Sequence, residues 1–226
     1  MCGRFTLYLT HKDLLGIFQV DETLSIEPRY NISPSQEVLA IREEEKKRHL
    51  VRLRWGLIPF WADDPKIAYR TINARSETAH KTPSFRSAFK NRRCLIPASG
   101  FYEWKREGKT KQPFYIRRKD GQPMAFAGLW EHWEDRDHKE KIESCTILTT
   151  NANPEVSRLH DRMPVILEPE NFDLWLDPEE NRQDKLQVLL KPADDGLLSL
   201  RPVSKYVNSP SNEGEKCVEK NPLLRG

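Results

Sequence analysis

Closely spaced cysteines are missing from this sequence. Its four cysteines, Cys2, Cys94, Cys145 and Cys217, lie far apart and form no C-x-x-C pair. Zinc sites and disulfide frameworks are built from cysteines at short, regular spacings, so neither is predicted, and no metal or other cofactor is expected. Cys94 and Cys145 stand in apolar runs and are predicted to be buried. A chain without disulfides is expected to work in a reducing compartment.

Long apolar stretches are also missing. Only 37% of the 226 residues are hydrophobic and 31% are charged. No apolar run reaches the length of about 18 residues that a membrane-spanning helix needs. Arg4, Thr6 and His11 interrupt the N-terminal segment, which argues against a secretory leader. We therefore predict a cytoplasmic protein without a membrane partner.

The sequence has little excess charge and no repetition. Its 37 Lys and Arg against 34 Asp and Glu give a net charge of +3, which is too small to indicate a nucleic-acid partner by itself. Its prolines and glycines are scattered as turn residues, and no internal repeat or low-complexity linker divides the chain. A single domain with its own core is the simplest organisation for this length.

The distribution of apolar residues predicts a mixture of strands and helices. A helix is predicted over residues 76–90, although Pro83 must kink or break it. The dipeptide Asp120-Gly121 predicts a hairpin turn between two further strands. Apolar runs and alternating patterns predict strands at 49–58, 100–104 and 144–150.

These patterns indicate an α+β fold with a β-rich, largely antiparallel core and peripheral helices. The domain is predicted to span residues 1–208, where the last strand-like segment ends. Residues 209–226 are polar and are predicted to form a loose C-terminal tail.

The first four residues, Met1-Cys2-Gly3-Arg4, carry unusual chemistry. If Met1 is removed, Cys2 presents an α-amine and a thiol on adjacent carbons, a 1,2-aminothiol. Such an amine titrates at about 8 and a thiol at about 8.5, so the thiol is predicted to be partly ionised at cytosolic pH. An aldehyde can form a Schiff base with the nitrogen and then close onto the sulfur as a five-membered thiazolidine. The alternative is an incidental cysteine after the start codon.

Five short segments combine turn formers with residue types that perform chemistry. Each of them also has an ordinary structural interpretation: Glu103 can be the outward residue of a strand, and His160 can be a cation at a helix C-terminus. Asn73 can cap a turn, and Arg75 and Arg162 can form surface ion pairs. The segments are Cys2–Phe5, Asn73–Thr78, Gly100–Trp104, His160–Pro164 and Arg201–Ser204.

Taken together and in this order, the five segments resemble the SRAP family, and the resemblance runs from Cys2 to about Asn208. It implies a single SRAP-type α+β domain with a positively charged groove that shields abasic sites in single-stranded DNA by covalent attachment through Cys2. It also implies that Asn73 positions Cys2 and the sugar, that Glu103 is the acid/base at the sugar, and that His160 is a second proton-transfer group. Peptidase activity that removes Met1 is a further implication.

Residue chemistry supports these expectations. Opening the abasic hemiacetal needs proton transfer, and a carboxyl group flanked by aromatic residues, such as Glu103, can have the raised pKa that suits this task. His160 can move a proton when the carbinolamine becomes an imine. Capture of the imine by sulfur prevents β-elimination of the 3′ phosphate, which would break the strand.

Candidate DNA-binding residues are of two kinds. Guanidinium groups suit backbone phosphates, and exposed indole rings can stack on bases. A hydrophobic corner of the core is the alternative for the tryptophans, and the basic run Lys105, Arg106, Lys109 and Lys111 is interpreted as solvated. The candidates are Arg4, Arg75, Arg86, Arg162, Trp55 and Trp61.

Two other functions remain open from the sequence. An N-terminal-nucleophile hydrolase, either a cysteine peptidase or a glutamine amidotransferase, also fits Cys2 and Asn73. A noncatalytic single-strand binding module explains the arginines and tryptophans but leaves Cys2 without a role. In each case we expect a monomer; if it holds abasic DNA, we expect it at the nucleoid.

Overall fold

The structure is a computed structural model, and it describes residues 2–20, 26–108, 110–135 and 140–221. Four α-helices occur in these ranges: α1 (His11–Phe18), α2 (Arg86–Asn91), α3 (Phe172–Leu176) and α4 (Gln183–Leu189). The strands are β1 (Phe5–Leu7), β2 (Arg29–Ile32), β3 (Glu37–Glu44), β4 (Lys47–Trp55), β5 (Asn73–Arg75), β6 (Arg93–Ala98), β7 (Gly100–Glu107), β8 (Thr110–Arg118), β9 (Met124–Glu134), β10 (Lys141–Asn151), β11 (Arg162–Pro164), β12 (Ile166–Leu167) and β13 (Leu198–Pro202).

Five strands form the first sheet, in the order β13-β8-β7-β1-β2, and every neighbouring pair in it is antiparallel. Strands β7 and β8 form a long hairpin in which Phe101 faces Ile116 and Arg106 faces Lys111. The short strand β1 lies on the other side of β7. This arrangement places the N-terminal residues beside the middle of the hairpin.

The second sheet closes on itself. Its strands run in the order β11-β10-β4-β3-β6-β9-β12, and β9 also pairs with β10, so that β10, β4, β3, β6 and β9 form a ring. The pairs that β10 makes with β4 and β5 are parallel, and the other pairs in this sheet are antiparallel. The predicted strand-rich, largely antiparallel α+β fold is thereby confirmed.

The core lies inside the ring and between the two sheets. Phe126 of β9 packs edge-on against Phe5 of β1 and Phe101 of β7, with ring centroids 5.9 and 6.0 Å apart. Edge-to-face pairs at this spacing are favourable beyond the area that they bury. These three aromatic side chains join the first sheet to the ring of strands in the second sheet.

Two local predictions were wrong. Residues 76–85 form successive turns, and only Arg86–Asn91 is helical, because Pro83 cannot continue a helix. The turn at Asp120-Gly121 does not close a hairpin, since β8 pairs with β7 and β13 while β9 pairs with strands of the other sheet. With both edges of β8 occupied, β9 has no edge of that strand to pair with.

The segment after residue 208 is packed against the domain, which corrects the prediction of a loose tail. Cys217 is fully buried, and Val203 forms a β-bridge with Lys220. The side chain of Asn31 donates hydrogen bonds to the carbonyl oxygens of Ser209 and Asn212 over 2.9 and 2.7 Å. These buried contacts outweigh the polar composition from which the tail was predicted. The boundary at residue 208 stays a prediction.

Candidate functional site

Pairing between β1 and β7 sets the position of Cys2. Phe5 faces Phe101 and Thr6 faces Gly100, and the Tyr102 N–H donates to the Arg4 carbonyl oxygen over 2.9 Å. Continuing this antiparallel register places the segment before Arg4 alongside the residues after Tyr102. Cys2 therefore lies within electrostatic range of the Glu103 carboxyl group.

A glycine is required at position 100 of β7. A Cβ atom there would lie 2.7 Å from the Ile116 carbonyl oxygen and closer still to the Tyr115 hydroxyl. Non-bonded carbon and oxygen atoms do not approach so closely. Gly100 thus lets β8 approach the point at which β7 pairs with β1, and the alignment of Cys2 with Glu103 depends on this close packing.

Both reactive groups are buried. Cys2 is fully buried and the side chain of Glu103 is 3% exposed. Burial first, and then the nearby charge of Glu103, raise the pKa of the Cys2 thiol well above its usual value. Burial likewise raises the pKa of Glu103 to about 7. The thiol is therefore protonated at neutral pH in this structure, in which Met1 precedes Cys2, whereas Glu103 can give or take a proton. The partial ionisation predicted for a chain without Met1 stays a prediction.

An open cleft of about 570 Å³ adjoins Glu103. The structure brings three of the predicted site residues together in its lining: Arg4, Glu103 and His160. Trp104, Arg106, Lys111 and Asn208 complete the lining.

His160 lies in the loop between the 3-10 turn Val156–Arg158 and β11. The Arg162 backbone N–H donates to its Nδ1 over 3.0 Å. Burial lowers the pKa of His160, which makes the neutral form dominant at pH 7. Asp161 Oδ1 lies 2.7 Å from the same Nδ1, where it can stabilise the ring after protonation.

Arg4 is held from several sides. Its Nη1 donates to Asn31 Oδ1 over 2.6 Å and to the Val207 carbonyl oxygen over 2.9 Å. Its guanidinium carbon lies 5.6 Å from the centre of the Trp104 ring, within cation–π range. The Trp104 Nε1 in turn donates to Asn208 Oδ1 over 2.8 Å. The segment after β13 therefore fixes two of the residues that line the cleft.

Asn73 and Arg75 stand at the two ends of β5, beside β10, and neither lines the cleft. The Asn73 Nδ2 donates weakly to the Ile147 carbonyl oxygen over 3.5 Å. Within the described residues, the Oδ1 of Asn73 is buried without a hydrogen-bond partner. Arg75 is exposed and remains available to a ligand.

Arg162 and Trp55 have structural contacts that correct their predicted roles in DNA binding. The Arg162 guanidinium is buried, and it donates to both carboxylate oxygens of Glu77 over 2.7 and 2.8 Å and to the Thr149 carbonyl oxygen. Trp55 is 1% exposed and packs edge-on against Phe5. Neither side chain is accessible to a phosphate or a base in this arrangement.

Trp61 and Arg86 are exposed but lie outside the cleft. The Trp61 side chain is 42% exposed, next to the still more exposed Phe60, and its Nε1 donates to the Pro83 carbonyl oxygen over 3.4 Å. Arg86 begins α2 and lines a second cavity of about 420 Å³ together with His80 and other residues. Both remain candidates for contacts with more distant parts of a nucleic acid.

Four residues that line the cleft were not predicted as site residues from the sequence: Trp104, Arg106, Lys111 and Asn208. The run that includes Arg106 and Lys111 was interpreted as solvated, and its member Lys109 lies outside the described residues. The pairing of β7 with β8 turns these cations into one wall of the cleft. Two basic residues on each side of the Glu107-Gly108 turn were the signal that pointed to this wall.

Within the ranges that the structure covers, no group of three or more His, Cys, Asp or Glu side chains is arranged to hold a metal ion. None of the helices in those ranges is long and apolar enough to cross a membrane.

The buried cysteine and carboxyl group beside a basic cleft agree with a comparison against known families. The chain belongs to the SOS response associated peptidase (SRAP) family, which matches residues 1–210. This membership confirms the resemblance that was based on the five segments.

Relatives and a solved structure support this assignment. Abasic site processing protein YoqW of Bacillus subtilis is 45% identical over 223 residues, covering 97% of this chain and 99% of the relative. Abasic site processing protein YedK of Escherichia coli is 34% identical over 228 residues, covering 97% and 99%. A crystal structure of a protein from Bacteroides thetaiotaomicron superposes with a TM-score of 0.87 at 26% identity, covering 97% of this chain and 100% of that one.

Proposed function

We propose that this chain processes abasic sites in DNA and shields them in single strands through a covalent thiazolidine between Cys2 and the open sugar aldehyde. The observation that carries the proposal is the placement of Cys2 beside the buried Glu103, at a basic cleft that also contains His160. The names of the relatives, abasic site processing proteins, support the choice of substrate.

Removal of Met1 is part of the proposal, because only then does Cys2 carry a free α-amine. We expect the protein to remove this residue through its own peptidase activity. The Cys2 side chain is fully buried while Met1 precedes it. Losing the preceding residue takes away atoms bonded to Cys2 and can only increase its exposure if the rest of the structure is unchanged.

The reaction proceeds in two bond-forming steps. The Cys2 nitrogen attacks C1′ of the aldehyde to give a carbinolamine, which loses water and becomes an imine. The sulfur then attacks the same carbon while its proton leaves and the nitrogen gains one. Since the sulfur gives up its proton as it attacks, this step needs a proton acceptor, and Glu103, with a pKa of about 7, stands within electrostatic range.

Glu103 has an earlier role when it is protonated. In that state it can donate its proton to the ring oxygen of the closed sugar while the C1′ hydroxyl loses its proton to solvent, which breaks the bond between C1′ and the ring oxygen and releases the aldehyde. The Schiff base that forms next is the lyase-like part of the chemistry. His160, whose pKa is lowered by burial, presents a neutral ring, and it can assist the loss of water from the carbinolamine. Asn73 is proposed to position Cys2 and the sugar once DNA is bound.

The DNA strand is held by cationic side chains and by an exposed aromatic side chain. Arg4 in the cleft and the exposed Arg75 are proposed to contact phosphates, and Arg86 and Trp61 to contact the strand farther away. We expect a monomer that acts in the cytoplasm and at the nucleoid. The alternative, an N-terminal-nucleophile peptidase or amidohydrolase, uses the same Cys2 and finds support in the family's description as a peptidase.

The deciding experiment is intact-mass analysis of the purified protein after incubation with abasic single-stranded DNA. We expect a chain without Met1 that gains the mass of the DNA less one water. The Cys2→Ala variant should form no stable adduct, and Cys2→Ser at most a hydrolysable one. Stable crosslinking by a chain that retains Met1 would refute the aminothiol mechanism. Peptide or glutamine hydrolysis in the absence of any crosslink would favour the alternative.

A further inference from the structure

We infer that the cleft also captures free phosphorylated aldehydes, small molecules that carry an aldehyde and a phosphate on one short carbon chain. The inference rests on the proposed function, because it uses the same aminothiol on Cys2. It goes beyond that function because the ligand has no strand, no base and a single phosphate.

The charge of the cleft favours a small anion. Its lining carries three cations, Arg4, Arg106 and Lys111, against the single carboxyl group of Glu103. Glu103 is only partly ionised near pH 7, and His160 is neutral there. A concave site lined by one sign of charge concentrates ligands of the opposite sign.

The β7–β8 hairpin places two of these cations side by side, where both can contact one phosphate. Arg106 and Lys111 stand directly opposite each other in the antiparallel register, and both side chains are exposed. Like charges on directly opposed residues of a sheet destabilise it. A phosphate bound by both side chains removes this repulsion, and a guanidinium group can bind two of its oxygens at once.

The remaining lining matches the other end of such a molecule. Glu103 and His160 lie in the same cleft as Arg106 and Lys111, and its volume of about 570 Å³ accommodates a sugar phosphate. The β1–β7 register carries Cys2 alongside Glu103, so an aldehyde bound at Glu103 lies near the nucleophile.

The reaction needs no further reactant. The nitrogen of Cys2 bonds to the aldehyde carbon, one water leaves, and the sulfur closes onto the same carbon as its proton passes to the nitrogen through Glu103. No oxidation or reduction occurs, and the phosphate ester stays intact. The product is a thiazolidine on Cys2 that blocks the site for DNA.

The test compares 2-deoxyribose 5-phosphate with 2-deoxyribose. Adduct formation on the protein lacking Met1 is followed by intact mass, and each rate is divided by the rate of the same sugar with free cysteine. This division removes differences in the amount of open aldehyde. We expect the phosphorylated sugar to react at least about tenfold faster after this correction, the size of one charge-assisted hydrogen bond, and the preference should shrink with added salt.

Variants locate the phosphate. The double substitution Arg106→Gln and Lys111→Gln should reduce the corrected preference to near unity. Lys119→Gln, which removes an exposed cation just after β8 and outside the cleft lining, is the matched control and should keep the preference. Loss of the preference in the Lys119 variant as well would attribute it to overall charge and overturn the inference.

Parallel crosslinking to abasic single-stranded DNA separates this inference from the proposed function. If DNA crosslinks while the two sugars react alike after correction, the inference is wrong and the proposed function stands. If neither DNA nor sugar phosphate forms an adduct, both are wrong. If the double variant loses DNA crosslinking but keeps the preference for the sugar phosphate, the hairpin serves the strand's phosphates and the inference is again overturned.

Discussion

The two sheets of this molecule differ in what their buried groups face. The second sheet buries aliphatic side chains, among them Ile41, Leu53, Leu95, Leu129 and Ile147, and its buried polar side chains, such as Arg162, are engaged in contacts within the domain. In the first sheet the buried Glu103 lines the cleft, and the pairing of β1 with β7 carries the buried Cys2 alongside it. This sheet also buries the hydroxyl groups of Thr6, Tyr102 and Tyr115. The proposed chemistry therefore belongs to the first sheet, where burying reactive polar groups costs free energy.

Most of those polar groups are fixed by hydrogen bonds. The Tyr115 hydroxyl lies 3.0 Å from Thr6 Oγ1 and 2.8 Å from the Tyr8 hydroxyl, and the Tyr102 hydroxyl donates to the Tyr30 carbonyl oxygen over 2.7 Å. Satisfied buried hydroxyls make the sheet rigid. Burial raises the pKa of Tyr102 and Tyr115 as well as that of Glu103, but of these three groups only Glu103, with a pKa of about 7, titrates near neutral pH. Among these buried groups, Glu103 is therefore the one that can exchange a proton near neutral pH.

Glu103→Gln should cause the largest change. General acid/base catalysis contributes about 10²–10⁴-fold, so single-turnover crosslinking to abasic DNA should slow by that range, and less on a substrate already held as the open aldehyde. His160→Gln should slow both formation and reversal of the crosslink. A loss of less than about threefold in a folded Glu103 variant would return this residue to an ordinary strand position.

The same variant should change how crosslinking and stability depend on pH. The folded pKa of Glu103, about 7, is raised above the unfolded value of about 4.3, so wild-type protein loses stability as pH rises between these values. Glu103→Gln should therefore gain stability relative to wild type over this window, as seen in urea unfolding at pH 5 and pH 8. It should also lack the fall in crosslinking rate that deprotonation of the acid causes above pH 7. Parallel stability curves would contradict the raised pKa.

A substitution inside the ring of strands should lower stability without slowing the crosslinking reaction. Leu129→Ala removes a fully buried side chain and should lower the free energy of unfolding by about 2–5 kcal/mol. The crosslinking rate of the folded fraction should stay within about twofold, because Leu129 does not line the cleft. Urea unfolding and single-turnover crosslinking below the transition measure the two effects. A large loss of rate in fully folded protein would show that the second sheet also contributes to the reaction.

Asn31 of β2 connects Arg4 in the cleft to the segment after β13, so its substitution tests whether that segment supports the reaction. Asn31→Ala removes the acceptor for Arg4 and the donor to the Ser209 and Asn212 carbonyl oxygens, so crosslinking at limiting DNA should fall by about tenfold. Asn31→Asp keeps the acceptor and should retain most of the rate, while hydrogen exchange in residues 209–221 rises. Equal rates in both variants would show that Arg4 does not depend on this contact.

Arg75→Gln should cause the smallest change. Removing one phosphate contact should weaken binding to intact single strands severalfold and reduce the slope of log K against log salt by about 0.7. Arg162→Lys should instead lower stability, since it breaks the two-pronged bond to Glu77. Binding titrations between low and moderate salt distinguish them, and an unchanged slope for Arg75→Gln would remove it from the DNA contacts.

Local patterns in the sequence were sufficient to predict several strands and the family. The alternating and apolar runs located β4, β7 and β10, and the five short segments identified the family. These features are visible in the sequence because strand periodicity and reactive residue types are properties of neighbouring residues. Pro83 interrupts the helix predicted over 76–90, and only Arg86–Asn91 beyond it is helical.

Only the tertiary structure decided which side chains are buried and which face the cleft. Arg162 and Arg75 have the same chemistry, yet Arg162 is bound to Glu77 whereas Arg75 is exposed. Likewise, Trp55 is in the core and Trp104 lines the cleft. The raised pKa values of Cys2 and Glu103 follow from the removal of water by residues distant in sequence, which pair across strands. Burial depends on long-range packing, and a local pattern carries no information about it.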